Sequence, residues 1–183
     1  GQKDWKLVVV GDFNSFGDFA SRTTPKHKSK ALIIVEKLKE HVSCFQRMSS
    51  SDIYALFQKS DFLVFPTIQD TYGYVLLEAM AQGCVPIVSN QRAIPEIIQH
   101  HYNGLMFDVP LTKQYSAVPF YQSSQGSDTW TDLLFEKLSD ALAIDAVTYS
   151  NLSGCAVDSI KTKHNPDVHA GSLMELYQRV GVL

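Results

Sequence analysis

Two carboxylates, Asp70 and Glu78, lie in the part of this sequence that is best suited to bind a ligand. Between them are a short polar loop, Gly73, and a predicted apolar helix in which Glu78 is the sole charged residue. Removing a lone carboxylate from water is costly unless a partner hydrogen-bonds it, so a buried Glu78 requires such a partner. The free N–H groups at the start of the same helix attract anions. The segment therefore predicts a pocket for a ligand with a central diphosphate and hydroxyl groups at both ends.

The composition is that of a globular protein. The 183 residues fit one domain with a full core, and 45% hydrophobic with 19% charged residues argue against disorder. A net charge of -3 gives no electrostatic reason to expect a nucleic-acid partner. No apolar run approaches the roughly 20 residues that span a bilayer, and no signal peptide is visible, so a cytoplasmic location is expected. The cysteines predict buried thiols in a reducing compartment rather than disulfides (Cys44, Cys84, Cys155).

Strand and helix patterns alternate through the first two thirds of the chain. This β-α repetition predicts parallel strands joined by right-handed helical crossovers. The fold class is therefore α/β, a Rossmann-like three-layer α/β/α sandwich with a mainly parallel sheet. Such sheets bind ligands beyond the carboxyl ends of their strands, where the polar loops after Val10, Phe45, Phe65 and Val88 are expected to lie. The predicted strands are Leu7–Val10, Val42–Phe45, Phe62–Phe65, Val85–Val88 and Gly104–Phe107; the predicted helices are 28–40, Asp52–Lys59, Tyr72–Gln82 and a short one from Pro95.

The sequence predicts a single domain over residues 1–183 with three parts. Residues 1–108 form the parallel core, 109–128 a polar insertion loop, and 129–183 the C-terminal helices. These helices are predicted at Thr129–Ile144, Ala146–Lys163 and Pro166–Val180. Because a strand follows almost at once on Gly1, we expect the sequence to be a piece of a longer polypeptide.

The motifs of the core occur together in one known family. The central segment reads Phe65-Pro66-Thr67, Asp70, Tyr72-Gly73, Glu78-Ala79-Met80-Ala81, Gly83 and Pro86-Ile87-Val88, and it is followed by Pro95-Glu96-Ile97-Ile98 and Asn103-Gly104-Leu105-Met106. In this combination the chain resembles the C-terminal, donor-binding domain of retaining GT-B glycosyltransferases of family 4, the group 1 glycosyltransferases. It departs from them at Asp70, where the family has glutamate, and at Arg92-Ala93, where paired glycines are common.

The resemblance implies a domain that binds a nucleotide-diphosphate sugar. In the whole enzyme a hexose-type sugar would pass, with retention of configuration, to an unknown sugar, lipid or protein acceptor. Catalytic roles are implied for Asp70 at the donor sugar and for Glu78 at the ribose. Donor binding is implied for Gly11, Asp12, Phe45, Arg47, Thr71, Tyr72, Gly73, Tyr74, Val75 and Glu78.

The resemblance also implies what accompanies this domain. The acceptor would lie on an N-terminal domain of the same enzyme, absent from this chain, so the fragment alone is expected to be inactive. No metal and no other cofactor is required, and no nucleic acid is a partner. No transmembrane segment is predicted in this chain, and any association with a membrane would come from parts that are not present here.

Structural alternatives remain open for the same residues. Glu78 either binds ligand or forms an ion pair within the fold, and Asp70 either faces the sugar or caps the following helix. Gly73 is also suited to a tight turn, and Arg47 to an ordinary solvated surface. For the whole chain, the alternatives are a non-catalytic nucleotide-sugar-binding or protein-interaction module, and a GT-B phosphorylase or epimerase. A receiver-like signalling domain is disfavoured, because the sequence lacks its acidic cluster and its lysine.

Overall fold

The computed structural model describes residues 4–11, 25–67, 70–109 and 124–181. The chain divides into two compact units, Gly1–Ile53 and Tyr54–Leu183. All strand pairs in the described residues are parallel, and helices connect successive strands. The predicted α/β class is therefore confirmed.

The first unit contains a two-stranded parallel sheet. Strand β1 (Leu7–Val10) pairs with β2 (Val42–Phe45), in the register Leu7 to Val42 through Val10 to Phe45. Helix α1 (Pro25–Lys37) lies between them in sequence and starts three residues before the predicted helix, with a proline in its first turn. Among the apolar residues at helical spacing in and just after α1, Val35 is half-buried and the others are exposed (Ala31, Ile34, Leu38).

The second unit is built on a three-stranded parallel sheet in the order β3-β4-β5. Helix α2 (Ser50–Lys59) runs into this unit and starts two residues before the predicted helix. Ser49 precedes it, and Ser49 Oγ accepts the Asp52 N–H at 3.2 Å. The other elements are β3 (Phe62–Phe65), α3 (Tyr74–Ala81), β4 (Val85–Ser89), α4 (Ile94–Ile97), β5 (Leu105–Phe107), α5 (Ser124–Ala143), α6 (Ala146–Lys163) and α7 (Pro166–Arg179). Most of the predicted insertion, 110–123, lies outside the described residues, and α5 begins five residues before the pattern at Thr129.

Helices cover both faces of the three-stranded sheet. On one face, Val88 of β4 packs with Leu76 and Met80 of α3. On the other face, Val85 and Ile87 of the same strand pack against the C-terminal helices, which contribute Ala141 and Leu152. Because β4 is buried along its whole length, its sequence is continuously apolar instead of alternating.

The three cysteines are free, as expected. Cys44 is exposed, so the expectation of three buried thiols was wrong for this residue, which lies on the largely exposed strand β2. Burial, reinforced by the Asp61 carboxylate, raises the pKa of the Cys84 thiol to about 12, which excludes a reactive thiolate there. In the described parts of the chain, no helix is long and apolar enough to cross a membrane.

Candidate functional site

Asp70 organises the loop that leads from β3 into α3. Its carboxylate Oδ1 accepts the N–H of Tyr72 at 3.0 Å and also the N–H of Gly73. The Asp70 N–H in turn donates to Thr67 Oγ1 at 3.1 Å. Asp70 therefore holds the turn before α3 and does not cap the helix itself, so the capping alternative is wrong. Its second oxygen, Oδ2, has no hydrogen-bond partner among the residues described, so one acceptor stays available to a ligand.

Helix α3 begins at Tyr74, two residues later than predicted. The helix starts late because Gly73 has a φ of 77°, outside the helical range, so Tyr72 and Gly73 form a turn whose N–H groups donate to Asp70. The Gly73 N–H therefore already has an acceptor in Asp70, and the donor-binding role of Gly73 stays a prediction. The N–H groups of Tyr74 and Val75 have no acceptor in the described parts of the chain, and no side chain caps the helix. These two donors form the open end of α3.

The structure gives a reason for Gly73 that involves no ligand. A Cβ added there would lie 3.1 Å from Leu76 Cδ1 and 3.2 Å from Ile94 Cδ1. The missing side chain would therefore point into the core, where both neighbours are fully buried. A positive φ is also a conformation that residues with a Cβ rarely adopt. The turn and its packing both require glycine, and a close approach of phosphate at this residue stays a prediction.

Glu78 is exposed, so the expectation that it is a desolvated carboxylate was wrong. The reason is the orientation of α3, which buries Leu76, Ala79 and Met80 and leaves a narrow exposed stripe (Tyr74, Glu78, Ala81). The hydroxyl of Tyr54 donates to Glu78 Oε1 over a long 3.5 Å, and no ion pair involves Glu78 within the described residues. The ion-pair alternative thus finds no support. Glu78 lies four residues after Tyr74, about 6 Å along the helix.

Three of the other predicted residues, Gly11, Phe45 and Arg47, lie in the first unit. The Gly11 N–H donates to the Phe45 carbonyl at 2.9 Å, so Gly11 lies beside the end of β2 at the carboxyl edge of the two-stranded sheet. Phe45 is 46% exposed, and Arg47 is exposed as well. Asp12 lies outside the described residues. Thr71, which is exposed, belongs with Asp70 to the loop in the second unit.

Gln91 is a residue at this sheet edge that the sequence did not single out. It follows β4, whose last residue, Ser89, donates from Oγ to the Thr67 carbonyl at 2.5 Å. This bond confirms that the loops after β3 and β4 adjoin. Gln91 is only 4% exposed, and its Nε2 has no hydrogen-bond partner among the described residues. A glutamine between polar neighbours resembles any surface residue, so no local signal could have marked it as buried.

The end of α6 reaches the same loop. His164 Nδ1 lies 3.4 Å from the Tyr72 hydroxyl, and the Tyr72 ring lies 5.3 Å from the Tyr74 ring. Burial, followed by the positive charge of Lys163, lowers the pKa of His164. The two contacting residues are far apart in sequence, so only the tertiary structure reveals that they meet.

An open surface cavity of about 430 Å³ lies between β5 and α5 in the described part of the chain. His100 and Asp108 are among its lining residues, and none of the predicted donor-site residues is. No group of three or more His, Cys, Asp or Glu side chains within the described ranges could hold a metal ion. The expectation that no metal is needed stays a prediction.

A family model described as glycosyl transferases group 1 matches residues 1–117. Three curated proteins match over shorter stretches, and the chain covers 13%, 25% and 29% of their lengths. This chain therefore spans less than a third of each curated relative that it matches.

Solved structures share the fold over most of this chain. Sucrose-phosphate synthase from Thermosynechococcus elongatus superposes with a TM-score of 0.66 at 17% identity, covering 98% of this chain and 46% of that one. The C-terminal domain of the group 1 family protein LpcC from Francisella tularensis gives 0.55 at 22% identity, covering 89% and 71%. HepE from Anabaena, solved in complex with UDP-glucose, gives 0.54 at 14% identity, covering 85% and 36%. At these identities the likeness shows the fold, which is the Rossmann-like α/β fold of GT-B proteins.

Proposed function

Because the chain belongs to the group 1 glycosyl transferases, we propose that it binds the nucleotide-diphosphate sugar for a retaining transferase. The observation that carries this proposal is the open end of α3. Its two free N–H groups, from Tyr74 and Val75, point to a ligand that supplies negatively charged oxygens. A diphosphate meets that requirement and gains further from the positive end of the helix dipole. During transfer the same donors would stabilise the charge that develops on the leaving diphosphate.

The two carboxylates bind the other parts of the donor in this proposal. Glu78 lies about one turn beyond the open end of α3, on the exposed stripe, and a carboxylate there can accept hydrogen bonds from ribose hydroxyls. Tyr54 adds a hydroxyl beside it. Asp70 Oδ2 accepts from a hydroxyl of the donor sugar, while Oδ1 holds the loop. The charged oxygens thus flank the diphosphate site on both sides.

The comparisons support a donor domain within a larger enzyme. HepE was solved with UDP-glucose, and the LpcC structure is itself a C-terminal domain. By analogy, the acceptor and further catalytic groups lie on an N-terminal domain, and transfer of a hexose-type sugar requires both domains. We therefore expect this chain alone to bind nucleotide and to show little or no sugar transfer.

Calorimetric titration of the chain with UDP, GDP, ADP and UDP-glucose tests donor binding. One of the nucleotides should bind, and Glu78→Gln should weaken that binding about 10- to 100-fold, the range expected when a hydrogen bond to a charged group is lost. Glu175→Gln is the matched control, because it removes an exposed charge from α7, away from the site. The proposal is wrong if no nucleotide binds, or if both variants bind as tightly as the wild type.

One observation favours a non-catalytic module as a second candidate. Asp70, proposed to act on the donor sugar, already uses one carboxylate oxygen to hold its own loop. Asp70→Asn in the full-length enzyme separates the two roles, since the Asn oxygen can still accept both N–H groups while the charge is lost. Sugar transfer should fall sharply if Asp70 is catalytic. Unchanged transfer would leave Asp70 with the role of holding its loop alone.

A further inference from the structure

Helix α6 lies along α3 and contacts both of its ends. Beyond the C-terminal end of α3, the Gly83 carbonyl accepts the Ser153 hydroxyl at 2.7 Å. In the middle, Ala156 is buried in the same cluster as Leu76 and Met80. The two helices therefore run antiparallel, and the C-terminal end of α6 arrives at the N-terminal end of α3.

The contact at that second end is made by His164, the C-cap residue of α6. Its Nδ1 lies 3.4 Å from the Tyr72 hydroxyl, at the long end of a hydrogen bond. The backbone N–H of Tyr72 is held by Asp70, and the Tyr72 ring contacts Tyr74, whose N–H is one of the two free donors. Tyr72 therefore joins α6 to the residues that form the open end of α3.

We propose that His164 is a positioning residue for the diphosphate site: by holding the Tyr72 hydroxyl, it fixes the loop that presents the open end of α3. The proposal rests on the proposed function. His164 does not contact the ligand. It acts through Tyr72 by limiting the conformations of the loop before binding, which reduces the entropy that binding would otherwise cost.

The protonation state of His164 suits this role. A neutral imidazole with the proton on Nε2 presents Nδ1 as the acceptor for the Tyr72 O–H. Burial and the neighbouring Lys163 both lower the pKa of His164, which favours the neutral ring. The ring is half-buried, and so is Tyr72, so the contact is partly shielded from water.

UDP affinity, measured by calorimetric titration of the whole chain, tests the proposal. Tyr72→Phe removes the hydroxyl and His164→Phe removes the acceptor, and each should weaken UDP binding about two- to tenfold, the effect of one neutral hydrogen bond. The double variant should bind no worse than either single variant, because both remove the same contact. His164→Asn, whose side-chain oxygen lies near the position of Nδ1, should restore most of the affinity. His169→Phe on α7, an exposed histidine, is the control and should bind as the wild type does.

Hydrogen exchange at the Tyr72 and Gly73 amides provides a second readout that needs no ligand. Both amides donate to Asp70, so His164→Phe should speed their exchange and leave the buried strand β4 unchanged. Unchanged UDP affinity in His164→Phe, or additive losses in the double variant, would overturn the proposal. If wild-type chain binds none of UDP, GDP and ADP, the proposed function fails. In that case, faster exchange still supports the positioning of the loop, and unchanged exchange overturns it.

Discussion

The turn at Gly73 makes the sharpest prediction about stability. Gly73→Ala adds one methyl group at a residue with a φ of 77°. That methyl group would lie 3.1 Å from Leu76 Cδ1 and 3.2 Å from Ile94 Cδ1, closer than ordinary carbon contacts. Both neighbours are fully buried and packed in the cluster under α3, so they have little room to move.

Two effects lower the free energy of unfolding of Gly73→Ala, and a third effect partly opposes them. The left-handed backbone costs an L-residue about 1–2 kcal/mol. Overpacking of a filled core typically costs about 1–3 kcal/mol, here at the lower end because only side-chain ends are crowded. Alanine restricts the unfolded chain more than glycine does, which returns about 0.5–1 kcal/mol. Together these effects predict that Gly73→Ala lowers the free energy of unfolding by about 1–2.5 kcal/mol.

Urea denaturation followed by circular dichroism measures this loss. Gly154→Ala is a matched control that should change stability in the opposite direction. Gly154 lies within α6, and a Cβ added there meets nothing within 4 Å. It should raise the free energy of unfolding by about 0.5–1 kcal/mol through helix propensity. If Gly73→Ala changes stability by less than about 0.5 kcal/mol, the turn does not need its glycine and the reasoning fails.

Three further changes test other parts of the structure. Gln91→Leu removes a buried amide whose Nε2 has no partner among the described residues, so the free energy of unfolding should rise by about 1 kcal/mol in urea denaturation; a comparable fall would contradict this. Asn103→Ala removes a side chain that is only 3% exposed and hydrogen-bonds two backbone groups and a serine hydroxyl. In the same assay the free energy of unfolding should fall by about 2–3 kcal/mol, and a fall of less than about 1 kcal/mol would count against these bonds. Burial, then the nearby His101, lowers the pKa of His100 from 6.5, and its Nδ1 accepts the Met106 N–H, so the folded chain favours the neutral ring. The stability that the neutral ring contributes is therefore fully present above the unfolded value of 6.5 and is lost as pH falls through the lower folded pKa. Between about pH 7 and pH 5, His100→Asn, which keeps an acceptor, should show a shallower decline than the wild type in denaturation curves, and equal slopes would refute this role.

Elements that depend on local pattern could be predicted from the sequence. The strands lie within one residue of their predicted bounds because short apolar runs between turn residues are a local signal. The end of α3 is likewise local, since Gly83 has a φ of 81° and follows the last helical turn as predicted. The start of α3 was misplaced because Gly73 has a positive φ, and a sequence pattern does not show whether a glycine there continues the helix or forms a turn before it.

The environment of the candidate site depends on contacts that sequence patterns do not contain. Glu78 was predicted to be buried from the apolar residues around it, but its exposure depends on which side of α3 faces the sheet. Tyr54 and His164 come from other helices, and Gln91 is only 4% exposed although its neighbours in sequence are polar. The residue type at each of these positions is common at protein surfaces, so the sequence alone did not distinguish these residues from others.

Two backbone N–H groups of its own loop donate to Asp70 Oδ1 and fix this carboxylate in place. This restraint affects how strictly the site distinguishes one sugar from another. A carboxylate held by two N–H groups cannot rotate to follow a hydroxyl whose position changes from one epimer to the next. A glutamate side chain, with one more methylene, would be less restrained and would tolerate sugar hydroxyls in different positions. If Asp70 does meet the sugar, this chain should distinguish UDP-glucose from UDP-galactose more strictly than its Asp70→Glu variant does, and equal affinity ratios in paired titrations would contradict this.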